Sequence, residues 1–417
     1  MHRFLSVYFM SKHWGTIVSR KLKRNISLIY GLSFFQCFML IVPVIVPFFA
    51  SKGLSLAEIF YLQAVFATTI VLLEAPSGYF ADLFGRRNAL MVGSVLHGLG
   101  YLVLNFADNI WGLMAFEIVL GIAASLLSGA DLALLYDTRK ALEGETGSEH
   151  SKAISHLSFT KNAAEALGAL LGGTLAIYSF DLLIQVQSVA AWLCLLFASF
   201  VYEPPYQQAD AAPHRIKIIE VLRHLFMQDP LLRKIVIAIP IYSLATFNVA
   251  WLIQPYWEER GMSLAMFGVL WCAQGFTTAI TTRIGFGIER RLGAAMTLSL
   301  IGILPVVGHL GMAFAPGQAG IVIALLLFAG RGLNQVILVN ALNRRVPSEF
   351  RAAANSFISF LFRLIFILTG PVIDYVAQLQ RLGMALNVIG ASYIAVFVMV
   401  MIPLIQWVKN IQQRVAA

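Results

Sequence analysis

The sequence predicts an all-α integral membrane protein: twelve transmembrane helices in two pseudo-symmetric six-helix bundles. Three observations predict it. Of 417 residues, 59% are hydrophobic and only 12% charged, with a mean hydropathy of +0.78, whereas a soluble domain carries roughly a quarter charged residues. Apolar runs of about 20 residues, enough to cross a bilayer, recur along the whole chain with short polar joints. Basic residues fall almost entirely on one side of those crossings.

The expected spans are Ile26–Phe49, Leu56–Phe80, Ala89–Ala107, Ile110–Leu135, Ile154–Tyr178, Leu182–Tyr202, Ile235–Trp257, Leu264–Ile288, Ala294–Phe314, Ile321–Ala341, Ala353–Val376 and Met384–Trp407. The longest joint runs from Glu203 to Lys234 and divides the chain six plus six. The expected organisation is a basic tail (1–24), a first bundle (25–202), a linker (203–234), a second bundle (235–407) and a short tail (408–417). In the linker, His214–Gln228 alternates apolar and basic residues at helical spacing, which suits an amphipathic helix on the inner surface.

Charge sets the expected orientation. One side holds Arg3, Lys12, Arg20, Lys21, Lys23, Arg24, Arg86, Arg87, Arg139, Lys140, Lys152, Arg215, Lys217, Arg223, Arg233, Lys234, Arg290, Arg291, Arg344, Arg345, Arg351, Lys409 and Arg414. The other side holds Lys52, Arg260 and Arg381. The positive-inside rule puts the first side, and both termini, in the cytoplasm of a cell-membrane protein. The net charge of +9 is thereby a topology signal and not a nucleic-acid footprint. Cys37, Cys194 and Cys272 lie inside apolar runs with no pairing or metal spacing, and read as small core residues. The first apolar run follows a basic tail, exceeds the length of a signal h-region and lacks an Ala-x-Ala exit, so no cleavable signal peptide is expected.

The joint between the second and third spans is the most specific motif. Gly78 and Gly85 permit close helix approach and a sharp turn. Asp82 can cap a helix N-terminus or pair with an arginine, and Arg86 and Arg87 anchor the turn at the inner face. The pattern Gly-x-x-x-Asp-x-x-Gly-Arg-Arg resembles the loop between helices 2 and 3 of the major facilitator superfamily of transporters. Gly287-Ile288-Glu289-Arg290-Arg291-Leu292-Gly293, between spans 8 and 9, is a degraded copy of it. Two bundles related by an axis along the membrane normal, each with nested inverted repeats, fit that echo.

Charges inside spans cost at least about 2.5–3.5 kcal/mol at the centre, so they face protein or water and serve a purpose. The first half carries Glu74, Glu117, Asp131, Lys161 and Glu165; the second carries Arg283, Arg331 and Arg363. The resemblance implies that helices 2 and 11, and 5 and 8, meet between bundles, while 1, 4, 7 and 10 line the cavity. At ~1.5 Å per residue, Glu74 lies about 9 Å inward of Phe80 and Arg363 about 15 Å inward of Ala353. Glu165 lies about 16 Å inward of Ile154 and Arg283 about 8 Å inward of Ile288. The expectation is that Glu74 with Arg363, and Lys161/Glu165 with Arg283, form charge pairs closing the cytoplasmic side; static holding of the bundles is the alternative.

Many relatives carry a proton-coupling arginine on helix 4, about four residues before a glycine. Here Glu117-Ile118-Val119-Leu120-Gly121 has an acid there, and Arg331 is read as its counterpart on span 10. A carboxylate held dry beside a removable cation can exchange a proton once per cycle. Glu117 is the first candidate proton carrier, with Asp131 and Glu165 next; a static buried pair is the alternative. Gly168-Ala169-Leu170-Leu171-Gly172-Gly173 on span 5 resembles the Gly-Pro-x-x-Gly-Gly element of drug/proton antiporters, with Ala169 at the proline position. Plain close packing explains the same glycines. Glu74-Ala75-Pro76 ahead of Asp82 and Arg86-Arg87 resembles some tetracycline and macrolide efflux proteins, with Pro76 kinking span 2.

Gln36, Asn248, Trp251, Gln254, Asn334 and Gln335 are the expected substrate-cavity groups, among Phe34, Phe35, Phe38 and Phe328. That mixture suits an amphipathic organic molecule. The resemblance thus implies a proton-coupled secondary transporter, acting by alternating access as a monomer, that exports a small organic compound. An uptake permease for an organic anion using Arg331, or a transport-inactive membrane sensor, are the rivals. No metal spacing, nucleophile set or phosphate loop argues for an enzyme or a cofactor, and a bilayer, a small solute and protons are the expected partners.

Overall fold

Proline, glycine and β-branched clusters decide where the apolar runs become helix and where they break. The computed structural model describes residues 2–143, 149–204, 218–347, 350–380 and 382–416. In chain order the helices are α1 (His2–Cys37), α2 (Ile45–Ser51), α3 (Leu56–Phe84), α4 (Arg86–Asn105), α5 (Ile110–Leu127), α6 (Ala130–Glu143), α7 (Glu149–Tyr178), α8 (Phe180–Phe200) and α9 (Ile218–Arg223). They continue as α10 (Pro230–Glu259), α11 (Leu264–Leu292), α12 (Ala294–Phe314), α13 (Ala319–Leu333), α14 (Val339–Arg345), α15 (Arg351–Gln380), α16 (Leu382–Val396) and α17 (Ile402–Ala416). The described residues contain no strand.

Eleven helical stretches are long and apolar enough to cross a membrane among the described residues. The expected fifth span, α7, is 30 residues long but Lys161, Asn162, Glu165 and its glycines dilute its apolar content. With α7 as the twelfth span among the described residues, this is a multi-pass all-α membrane protein. Of the linker, 205–217 lies outside the described residues, and with it Arg215 and Lys217; Arg381 is likewise outside. The linker's end is helical as α9, followed by a π turn at His224–Gln228.

By contacts the chain forms two units: residues 1–43 with 65–209, and 44–64 with 210–417. In the first, α4 packs between α5 and α8. Glycines allow the approach, since a Cβ on Gly93 would meet Leu127 at 2.8 Å and one on Gly98 would meet the Trp192 ring at 2.6 Å. In lipid, such close backbone approach replaces the hydrophobic effect as the adhesive. The core holds Ile29, Leu32, Leu90, Leu127, Leu134 and Cys194.

The second unit repeats the arrangement: α12 packs between α13 and α16, with Gly308 against Leu327 and Gly390 against Leu310. Two further echoes sit 208 residues apart. Gly85 opens α4 at φ 91°, ψ 151° and Gly293 opens α12 at φ 79°, ψ 160°, a region only glycine occupies without strain. Lys52-Gly53-Leu54-Ser55-Leu56-Ala57 is matched by Arg260-Gly261-Met262-Ser263-Leu264-Ala265. Both segments end a helix the same way: Gly53 N donates to Ala50 O and Leu54 N to Phe49 O, as Gly261 N does to Glu258 O and Met262 N to Trp257 O. Gly293→Ala tests the turn in isolation, because nothing lies within 4 Å of the added Cβ. Backbone strain of about 1–3 kcal/mol is the expected loss, read as a lower unfolding midpoint of the detergent-purified protein.

Helices 1, 4 and 10 depart from regular α geometry, whereas helix 7 stays continuous α-helix from Pro230 to Glu259. Helix 1 stops at Cys37, passes through a 3-10 turn at Val42–Val44 and resumes as α2 at Ile45; Pro43 within that turn has no N–H for an α-helical ladder. Helix 4 breaks at Ser128-Gly129, where Gly129 has φ +81°. Helix 7 (α10) carries Pro240 and Pro255. Helix 10 loosens into a π turn, Asn334–Leu338, between α13 and α14, a feature frequent at functional positions.

Candidate substrate and coupling site

The break in helix 4 sets up a charged centre in the first unit. Asp131 lies in the first turn of α6, where the aligned peptide dipoles favour negative charge, and it is fully buried. Lys161 of α7 pairs with it, Nζ to Oδ2 at 2.6 Å. Ser33 of α1 donates its hydroxyl to the same oxygen at 2.8 Å, and Leu132 N donates to Oδ1 at 2.7 Å. Three helices thus converge on one carboxylate, with Cys37 inside the field of Lys161, Asp131 and Glu165. Lys161 was expected to act with Glu165 towards Arg283. Lys161 is also tied to Asp131, which follows the α5–α6 break. Glu165 is exposed. Glu117 is buried on α5 near Tyr101.

The signature turn is held by groups of the same unit. Arg86 pairs with Asp137 of α6 and donates to Ala133 O at 2.7 Å. The first amides of α4 are capped from outside the helix: Arg86 N and Arg87 N donate to the two Glu203 carboxylate oxygens at 3.1 and 2.6 Å. Asp82, expected to cap or pair, is exposed instead; Glu203 takes the amides because Asn25 grips the end of helix 6 beside it. Asn25 Nδ2 donates to Tyr202 O at 2.6 Å, and Tyr202 N donates to Asn25 Oδ1 at 2.8 Å. Arg87 Nη2 reaches Ser199 O at 3.3 Å. Gly78 and Pro76 are exposed and Glu74 half-buried on α3. Gly168 and Gly172 of α7 press on helix 1, where a Cβ would meet Met39 N at 3.0 Å and Leu40 C at 2.7 Å respectively; Gly173 is buried beside them.

In the second unit, Asn334 opens the π turn of helix 10 and ties it to helix 7, with Nδ2 donating to Ser243 Oγ at 3.0 Å and Ile239 O at 3.3 Å. Its Oδ1 is buried without a partner among the described residues, as are Asn248 Oδ1, Trp251 Nε1 and Tyr242 OH. In the first unit Gln36 Oε1 is in the same condition. Unmade buried hydrogen bonds are expensive, so these atoms mark places for water or ligand. Around Phe247 the rings of Trp251, Phe362 and Phe366 stand at 6.3, 4.9 and 4.7 Å, all edge-on. Gln254 is fully buried and accepts from Val46 N at 2.9 Å, which makes it a backbone cap. Arg331 and Gln335 are exposed on one face of helix 10, and Arg283 is exposed on α11. Arg363 donates to Ser359 Oγ of its own helix at 2.6 Å. Glu117 is the eighth residue of α5 and Arg331 the thirteenth of α13, so they are not equivalent positions.

Sequence reasoning missed Ser33, Asp137, Glu203, Tyr242 and Gln187 of α8, whose Oε1 accepts from Leu40 N at 2.5 Å and whose Nε2 donates to Phe38 O at 3.3 Å. Most of these act on backbone groups or on charges of a neighbouring helix, and local spacing carries no trace of that. Glu203, an acid just before Pro204-Pro205 at a helix end, was the one with a readable signal.

Comparison with known proteins agrees with this architecture. The family model described as Major Facilitator Superfamily matches residues 26–371. An uncharacterised MFS-type transporter of Bacillus subtilis, YxaM, is 23% identical over 87% of this chain and 90% of its own length. The class C tetracycline resistance protein of Escherichia coli is 25% identical over 75% of this chain and 78% of its own. The crystal structure of the nucleoside transporter NupG superposes with a TM-score of 0.75 at 10% identity, covering 93% of this chain and 99% of that one. With its helices, breaks and repeated turns accounted for, the chain belongs to the Major Facilitator Superfamily.

Proposed function

We propose that this transporter is a proton-coupled exporter of small amphipathic organic compounds, working by alternating access with both termini in the cytoplasm. The observation that carries the reading is the ion pair of the fully buried Asp131 with the half-buried Lys161, with Ser33 as a further donor. Protonating Asp131 removes the charge that holds Lys161 and frees α7 from α6, so binding of one proton is tied to a change in helix contacts. The likeness to a tetracycline resistance protein supports export. The partnerless atoms of Asn248, Trp251 and Asn334, next to the Phe247 ring cluster, suit a cargo with a flat apolar body and a few donors and acceptors. Glu117 is the second proton candidate. In this reading Glu74, Arg283 and Arg363 serve the cytoplasmic gate.

The test is flux in everted membrane vesicles under an imposed pH gradient, with cargo taken from a growth screen against amphipathic compounds. Asp131→Asn is expected to lower gradient-driven accumulation by roughly 5–150-fold, the range of one coupling interaction, while cargo exchange without a gradient continues. Undiminished gradient-driven flux in that variant would sink the proposal. Uptake of an organic anion is the second reading, favoured by the exposed Arg331 on helix 10; reversed flux in the same vesicles would establish it.

A further inference from the structure

The second half carries a group of charges that its own chain leaves unanswered. Arg283, Arg290 and Arg291 stand near the end of α11, all three exposed. None of them makes an ion pair or a hydrogen bond among the described residues, and neither does Glu289, the acid of the same stretch. The matching turn of the first half is different. There Arg86 pairs with Asp137, and Glu203 lies against Gly85 and bonds the amides that follow it. Arg345, at the end of α14, is likewise answered by Asp229 at 2.8 Å. At Gly293 nothing lies within 4 Å of where a Cβ would stand, so no acid takes the part of Glu203.

Depth sets Arg283 apart from an ordinary anchoring cation. It precedes Arg290 by two turns, which at ~1.5 Å per residue puts it about 10 Å further along the helix. The positive-inside bias accounts for cations at helix ends. It gives no reason for one well inside the membrane-crossing stretch Leu264–Leu292, where an unpaired charge is costly. An anion drawn to the same depth removes that cost.

A hollow of about 730 Å³ opens along this face, lined by Arg283, Ile284, Phe286, Gly287, Arg290 and Arg291. Residues 283, 287, 290 and 291 recur at the spacing that stacks side chains on one side of a helix. Gly287 is the floor, since a Cβ there would meet nothing within 4 Å. Ile284, Phe286 and Leu292 are exposed apolar side chains of the same stretch. Three guanidinium groups are thus joined to an apolar surface.

We propose that this hollow binds one anionic phospholipid. Its phosphodiester lies over Gly287, held by Arg290 and Arg291 at the helix end and by Arg283 from the deeper side. Its acyl chains run along Ile284 and Phe286. Arginine suits the task because its planar fork meets two phosphate oxygens at once. Its long stem also lets Arg283 reach back towards headgroup level. A free phosphate ion answers the charge but leaves the apolar lining unused, so a lipid is the occupant. The site does not rest on the transport reading. A phosphate on Arg283 and the gate contact proposed for that residue exclude one another.

The test is native mass spectrometry of the purified full chain, titrated with dioleoyl phosphatidylglycerol or, in parallel, dioleoyl phosphatidylcholine. The wild-type chain is expected to retain one phosphatidylglycerol in preference to phosphatidylcholine. Arg290→Gln with Arg291→Gln is expected to weaken that retention roughly twenty-fold, and Arg283→Gln roughly five-fold, at about 1 kcal/mol for each cation facing an anionic lipid. Arg223→Gln with Arg344→Gln removes the same charge from other exposed positions and is expected to leave retention unchanged. Gly287→Leu fills the hollow without altering charge. It is expected to weaken retention at least as much as Arg283→Gln while the unfolding midpoint holds, and it decides the matter where an arginine variant does not fold. Equal retention of the two lipids by the wild-type chain, equal losses in the two arginine pairs, or undiminished retention in Gly287→Leu would overturn the site. Displacement of the phosphatidylglycerol by an equal concentration of inorganic phosphate would overturn the lipid as its occupant.

Discussion

Gly172→Ala is expected to destabilise the protein by about 3 kcal/mol, the upper part of the range for overpacking, and to lower its unfolding midpoint accordingly. Alanine in a helix interior ordinarily gains about 1 kcal/mol over glycine, so the sign here runs against propensity. The reason is what lies opposite. The added Cβ would overlap Leu40 O and stand 2.7 Å from Leu40 C, and a backbone fixed on its other side by Gln187 cannot step aside as a side chain could. Gly275→Ala on α11 is the control, because nothing lies within 4 Å of its Cβ; it is expected to be neutral or slightly stabilising. Thermal unfolding of the two variants in one detergent checks the pair.

Lys161→Met is expected to cost about 3 kcal/mol, since it leaves a fully buried carboxylate with only neutral donors. Adding Asp131→Asn removes the stranded charge and is expected to recover most of that loss in the unfolding midpoint. Gradient-driven flux is expected to stay low in the double variant, because no group remains there to take the proton. A double variant as unstable as Lys161→Met would show that the lysine acts through its stem packing and not through charge. Full recovery of gradient-driven flux would move the coupling role to Glu117.

The crossings and the family were legible because they rest on composition, run length and one turn motif, all written locally. The Asp131–Lys161 pair was not legible as a pair, although both residues stood out as charges in apolar runs. Which way Asp131 points depends on the break at Ser128-Gly129, and nothing in the alternation of apolar residues announces that break. Asn248, Trp251 and Asn334 were chosen as polar residues on cavity helices, and each carries a buried polar atom without a partner among the described residues. Gln254 was chosen by the same reasoning and instead caps Val46, because a glutamine that bonds a ligand and one that bonds a distant amide look alike in sequence. The Lys52–Ala57 and Arg260–Ala265 repeat was open to sequence reading and went unnoticed: each half keeps only a glycine, a serine, a leucine, an alanine and one cation at matching places.

The weak apolarity of α7 has a consequence for how the chain is made. A segment carrying Lys161, Asn162 and Glu165 gains little by partitioning into lipid alone, and the translocation machinery would release it slowly. Its predecessor brings the acid that neutralises the lysine. The charge of the fifth segment is thus met by the fourth, and the two depend on each other for a place in lipid.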